Sequence, residues 1–155
     1  MFAHRTAIWS DRTVEPRHAR ALRLLVVDDY EPGAEALTAA FATDGFDARC
    51  VYSALAALQL METWVPDIAV LDINMPEING FPLAVLLRQR PSTSKIGIIA
   101  FTALDQSVVR AGNVEGSFDA YCQKAGAPTL LSGLVTRMLT AENKRKRLRQ
   151  KLSSS

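Results

Sequence analysis

Five side chains in this sequence have the types and the neighbours to do chemistry together: Asp28, Asp29, Asp72, Thr102 and Lys124. Asp28 and Asp29 follow the apolar run Leu24-Leu-Val-Val27, and Asp72 follows Ile68-Ala-Val-Leu71. Thr102 follows Ile96-Gly-Ile-Ile-Ala-Phe101, and Lys124 comes just after Phe118-Asp-Ala-Tyr-Cys122. Singly these signals are weak, because aspartate at a strand end is commonly a turn or cap residue and threonine there a strand former. Their repetition at four run ends is what makes the set specific. Three carboxylates drawn to one place repel and raise at least one pKa unless a cation neutralises them. Oxygen ligands that leave room for water and a phosphoryl group favour magnesium, or manganese, over zinc. Asp72 can then attack phosphorus to form an aspartyl phosphate, while Lys124 and the Thr102 hydroxyl hold the phosphoryl oxygens.

The elements that must deliver these groups are legible as an alternation of short apolar runs with helix-period stretches, which predicts βαβ units and a parallel sheet. Three runs, at 24–27, 68–71 and 96–101, are continuously apolar, as suits central strands covered on both faces. The runs at 46–52 and 118–122 alternate, as suits edges. Five strands with the first, third and fourth central select the order 2-1-3-4-5 of a doubly wound sheet, whose ligand crevice lies where the order reverses, between strands one and three. Pro32 fits the first turn of a helix striped by Ala36, Leu37, Ala40 and Phe41 and stopped at Gly45. Ser53 is positioned to cap a second helix. The third helix is expected over 81–89, before Pro91, and a weak fourth over 105–114. The fifth begins near Pro128, carries Leu130, Leu131, Leu134, Val135, Met138 and Leu139 on a broad apolar face, and is expected to continue into the basic tail.

Composition bounds the functions available. With 155 residues, 48% hydrophobic and 22% charged, the chain is globular and of one-domain size. The longest apolar runs fall far short of a membrane span, and the N-terminus reads as no secretory signal, so the expected compartment is the cytoplasm. Six basic residues crowd 144–151, whereas 22–143 hold 14 acidic residues against eight basic ones. Nucleic-acid binding by the body is disfavoured, and only the tail would suit it. The expected organisation is an unpatterned arm at 1–21, a domain at 22–140 and a basic extension at 141–155. Cys50 and Cys122 read as reduced, buried thiols and Trp9 and Trp64 as packing. His4 and His18 suggest no site.

The motifs L-L-V-V-D-D at 24–29, L-D-I-N-M-P at 71–76 with Gly80 following, F-T-A at 101–103 and Y-C-Q-K at 121–124 together resemble the response-regulator receiver domain of bacterial two-component signalling. The resemblance covers about Leu22 to Leu139 and implies a flavodoxin-like (βα)5 fold. It implies Asp72 as phosphoacceptor, with magnesium held by Asp29, Asp72 and the backbone carbonyl of Asn74 and assisted by Asp28 through water. It implies Thr102 and Tyr121 as the pair that reports phosphorylation, and Lys124 as the family's lysine. A histidine kinase or phosphotransfer protein is the implied donor, with a downstream protein partner. A lengthened fifth helix offers a homodimer contact. The expected function is that of a stand-alone, non-enzymatic phosphoacceptor. The alternatives are a receiver-like module working without phosphorylation and a magnesium-dependent phosphatase; against the latter, Asn74 stands where D-x-D phosphatases carry a second acid. The chain departs from the family at Lys124-Ala125-Gly126, where Lys-Pro is usual. A trans 124–125 bond is therefore expected, since a non-proline cis bond costs about 2.5–4 kcal/mol, with Lys124 set back from the crevice. Leu104 is apolar at a position that in the family governs access of water to the phosphoaspartate.

Overall fold

The computed structural model describes residues 5–15, 20–113, 116–124, 128–139, 148–149 and 151–153. The strands are β1 (Thr6–Ile8), β2 (Arg23–Val27), β3 (Asp47–Val51), β4 (Ile68–Leu71), β5 (Gly97–Thr102) and β6 (Ala120–Gln123). The helices are α1 (Glu31–Thr43), α2 (Ala54–Leu60), α3 (Gly80–Gln89), α4 (Gln106–Gly112) and α5 (Pro128–Met138). They form one sheet in the order β1-β6-β5-β4-β2-β3. β2 through β6 are parallel and keep the expected 2-1-3-4-5 order, with β2 and β4 flanking the reversal.

The sheet has six strands rather than five. β1 lies in the stretch expected to be without pattern, and pairs antiparallel with β6 through Thr6–Cys122, Ala7–Tyr121 and Ile8–Ala120. Three residues are too few to show a period, and only the open edge of β6 gives them a partner. The fifth predicted strand is consequently interior, and Ala120, Tyr121 and Cys122 are buried. Farther along the same segment Val14 is buried and bridges to Leu139. α5 ends at Met138, and the expected continuation of the helix into the basic residues falls at 140–147, outside the described residues.

Alternation along the strands splits the core into two layers. Leu25, Val27, Ala69, Leu71, Ile98, Ala100 and Tyr121 face α2, α3 and α4. Leu24, Val26, Ile68, Val70, Ile99, Ala120 and Cys122 face α1 and α5. The central strands need apolar residues at every position because both faces are covered. Local signals set the helix ends: the Ser53 hydroxyl accepts from the Ala56 N–H at 3.1 Å, Asn79 Oδ1 accepts from Phe81 N at 3.0 Å, and Gly45 follows α1 with φ 94°. Trp64 is buried beneath the guanidinium groups of Arg23 and Arg49, at 5.2 and 4.6 Å from its ring centre. Both thiols are free; burial pushes Cys122 up to about 11, while Cys50 is only half-buried. His4 and His18 lie outside the described residues. Among those described, no helix is long and apolar enough to cross a membrane.

Candidate acidic site at the strand ends

The sheet brings the predicted groups to one end. Asp28 and Asp29 follow β2, Asp72 follows β4, Thr102 closes β5 and Lys124 follows β6. Carboxylate oxygens of Asp28, Asp29 and Asp72 all lie within 4.8 Å of one another, with Asp28 and Asp72 buried and Asp29 exposed. Lys124 Nζ stands 2.6 Å from Asp28 Oδ2 and 3.3 Å from Asp72 Oδ2. The lysine is therefore not set back. Its N–H donates to the Thr102 carbonyl at 2.9 Å, which fixes the root of the side chain before residue 125 can influence it. The bond from Lys124 to Ala125 lies outside the described residues.

Burial raises the Asp72 pKa above the ordinary carboxylate range, and the charge of Asp28 pushes the same way against the opposing pull of Lys124. Burial alone would lower the Lys124 ammonium, but its hydrogen bonds and charge contacts with Asp28 and Asp72 outweigh that and hold its pKa above the usual value. One ammonium thus compensates a cluster of three acids only in part. The oxygen-only donor set, partly open through Asp29, fits a hard divalent cation.

The loop after Asp72 is short and anchored. Ile73 and Met75 are buried, Asn74 between them is exposed, and Gly80 N donates to the Ile73 carbonyl at 3.0 Å. A Cβ on Gly80 would collide with the Asp72 carbonyl oxygen and come within 3.0 Å of the Ile73 Cα, so only glycine lets α3 start this close to the site. Glu77 takes a positive φ of 67° in the same loop.

Thr102 and Tyr121 are joined through one residue. The Leu104 N–H donates to Thr102 Oγ at 3.3 Å, and the Tyr121 hydroxyl donates to the Leu104 carbonyl at 2.6 Å. Both side chains are fully buried. Burial, with Asp105 and Cys122 adding to it, pushes the Tyr121 phenol above its usual pKa, which keeps it a hydrogen-bond donor.

Two features carry no local signal in the sequence. Trp9 stacks on Tyr121, with ring centres 5.9 Å apart and planes inclined by 18°. At the opposite end of the sheet Asp119, 2% exposed, accepts from Ser10 Oγ (2.7 Å), Arg12 Nε (3.0 Å), Arg88 Nη2 (2.6 Å) and Ile98 N (2.8 Å). Asp119 sits inside the run 118–122 like any polar position of an alternating strand. Nothing local marks it as the anchor of the N-terminal segment.

The family model "Response regulator receiver domain" matches residues 24–136. The regulatory protein AtoC of Escherichia coli K12 is 31% identical over 136 residues, covering 86% of this chain and 29% of AtoC. The chain spans less than half the length of the curated relatives it matches. Among solved structures, a putative response regulator from Chloroflexus aurantiacus superposes with a TM-score of 0.71 at 28% identity, covering 77% of this chain and 98% of that one. The signal receiver domain of a signal transduction histidine kinase from Syntrophus aciditrophicus gives 0.70 at 26% identity, covering 77% and 90%.

Proposed function

We propose, since this chain belongs to the family of response regulator receiver domains, that Asp72 is its phosphoacceptor. The observation that carries this reading is the Lys124 ammonium bridging Asp28 and Asp72 from a different strand end, beside a third carboxylate. A carboxylate oxygen of Asp72 forms a bond to phosphorus as the phosphorus–nitrogen bond of a phosphohistidine breaks. The histidine nitrogen keeps the electron pair and takes up a proton. The donor is a histidine kinase or a phosphotransfer protein. Lys124 and the Thr102 hydroxyl bind phosphoryl oxygens and hold them in line, the positioning and charge compensation that dominate this chemistry. Asp29, Asp72 and the Asn74 carbonyl would hold magnesium, or manganese in its place, with Asp28 assisting through water, and the ion would supply charge compensation for the transferred group. Thr102 and Tyr121 report the modified state through Leu104, and a downstream protein reads the altered surface. Residues 22–140 form the receiver body on this reading.

Incubation with a small phosphodonor and magnesium should add one base- and hydroxylamine-labile phosphoryl group, and peptide mapping should locate it on 68–79. Labelling elsewhere, or none, would refute the assignment. Magnesium should also raise the thermal midpoint, because it binds only where the fold gathers the carboxylates, and a ligand at about 100 times its Kd adds about 2.7 kcal/mol. Asp29→Asn should lose most of that rise. An equal rise in both proteins would put the ion elsewhere.

A further inference from the structure

We propose that the outer edge of β1 and the cleft beside it take up an extended segment of another protein, one that carries an acidic side chain next to an apolar one. Phosphorylation of Asp72 plays no part in it. β1 is a fixed member of the sheet. Ala7 and Trp9 pack on the core layer that faces α2, α3 and α4, and Trp9 stacks on Tyr121. Trp9 N donates to the Asp119 carbonyl and Gln123 N to the Arg5 carbonyl, each at 2.7 Å. Ser10 and Arg12 bind the buried Asp119 immediately beyond. The segment therefore closes the edge of β6 and presents its own edge in exchange.

Backbone groups alternate in direction along an antiparallel strand, so with Arg5 and Trp9 bonded to β6 the N–H and C=O groups of Thr6 and Ile8 point away from the sheet. Among the described residues no strand lies beyond them. The opposite edge, β3, carries Asp47 and Arg49, and charged side chains are one way an edge strand is kept from pairing. Thr6-Ala7-Ile8 has no charge and includes two good strand formers. Of the two edges, β1 is the one suited to receive a strand.

The flanks of that edge set the chemistry of the partner. Towards α4, a cleft of about 490 Å³ is lined by Ala7, Ile8, Trp9, Gln106, Arg110 and Asn113. Asn113 is already spent, its amide bonded to both the N–H and the carbonyl of Phe118. Gln106 and Arg110, one turn apart on α4, have no side-chain hydrogen bond or ion pair among the described residues. The exposed guanidinium of Arg110 suits an acidic side chain, with the Gln106 amide beside it as a second donor. On the other face of the strand, Thr6 and Ile8 stand in register with Cys122 and Ala120, and Ile8 is exposed. Successive residues of an added strand point to opposite faces, so an acidic residue for the cleft and an apolar neighbour for Ile8 fit as one short motif. A second copy of this chain fits poorly. Pairing Thr6 of one copy with Ile8 of another sets Arg5 opposite Trp9, on the face that holds Arg110, where like charges repel.

An acetylated and amidated Thr-Val-Glu-Val-Thr peptide serves as the probe, with the same peptide carrying Gln for Glu as its control. In the whole chain, without phosphodonor, the Glu peptide should shift the amide resonances of Thr6 and Ile8 and slow their hydrogen exchange, while the Trp9 amide, already bonded to Asp119, keeps its exchange rate. The Gln peptide should bind roughly three- to tenfold more weakly, the range for one charge-assisted contact near a surface. Arg110→Gln should remove that preference and bind both peptides alike. Ile8→Pro deletes an outward N–H and none of the bonds to β6, so it should bind neither peptide while keeping the parent's spectrum over β2 to β5. Shifts that fall on Asp47 to Val51 instead, or no shift at Thr6 and Ile8, overturn the proposal in the parent protein and need no variant to be folded. A Glu preference that survives Arg110→Gln, or an Ile8→Pro protein that binds as the parent does, overturns it as well. Thr6 and Ile8 signals that move with protein concentration alone would place a second copy on this edge and refute the assigned partner.

Discussion

Asp72→Asn is expected to abolish phosphoryl incorporation and, without divalent cation, to unfold at a higher temperature than the parent. The first effect follows because an amide offers no carboxylate oxygen to attack phosphorus. The second comes from crowding: burial and the neighbouring Asp28 both oppose charge on Asp72, so at neutral pH the ionised group favours the unfolded chain, where it is solvated. Asparagine keeps the shape without the charge. Lys124 loses its partner at 3.3 Å but retains Asp28 at 2.6 Å, so no cation is left unpaired. Each kcal/mol recovered raises the midpoint by roughly 2–4 °C at this chain length. Magnesium should narrow or reverse the difference, since the parent keeps all three carboxylates as ligands. Melting curves with and without magnesium, run beside the labelling assay, test both halves. A variant that melts below the parent without magnesium would show that the carboxylate supports the fold rather than straining it.

Asp119→Ala is expected to cost about 3–5 kcal/mol of stability, the range for breaking a buried ion pair by removing one partner. The loss leaves Arg88 without its carboxylate in a site where burial already lowers the guanidinium pKa against the support of Asp119, and leaves the buried Ile98 N–H without an acceptor. Arg88 also donates to the carbonyls of Ser94, Ile96 and Ser117, so the unpaired charge stays fixed in place and cannot swing into water. Arg12→Ala should cost only about 1 kcal/mol, because its side chain is 30% exposed and the remaining bonds of Asp119 survive. Urea unfolding of both variants gives the comparison. Equal losses would mean that the outer arginine, and with it the N-terminal segment, carries the cluster. Magnesium binding at the far end of the sheet should survive in whatever fraction of Asp119→Ala is folded.

The central strands and the acidic site are legible in the amino-acid sequence itself. The runs at Leu24–Val27, Ile68–Leu71 and Ile96–Phe101 are local patterns, and in a parallel sheet the residue that ends a strand is carried to the crevice by the strand itself. Asp28, Asp72, Thr102 and Lys124 therefore fall together once the strand order is known, and that order follows from which runs are apolar throughout. Ser53 and Gly45 are readable for the same reason, since capping depends on residues a few positions apart. The N-terminal segment is not. β1 meets β6 more than a hundred positions later, as Ser10 meets Asp119 at a separation of 109, and neither partner carries a mark of the other. Three residues are too short to show a period, and an aspartate within an alternating run looks solvent-facing until arginines from two distant elements close over it. The reach of Lys124 likewise departs from what Ala125 suggests, because the backbone bond to Thr102 fixes the lysine from a neighbouring strand rather than from the residue that follows it. Local pattern settles which strands form and where the acids cluster; contacts remote in sequence, whose gain depends on surfaces that exist only after folding, settle what lies over Tyr121.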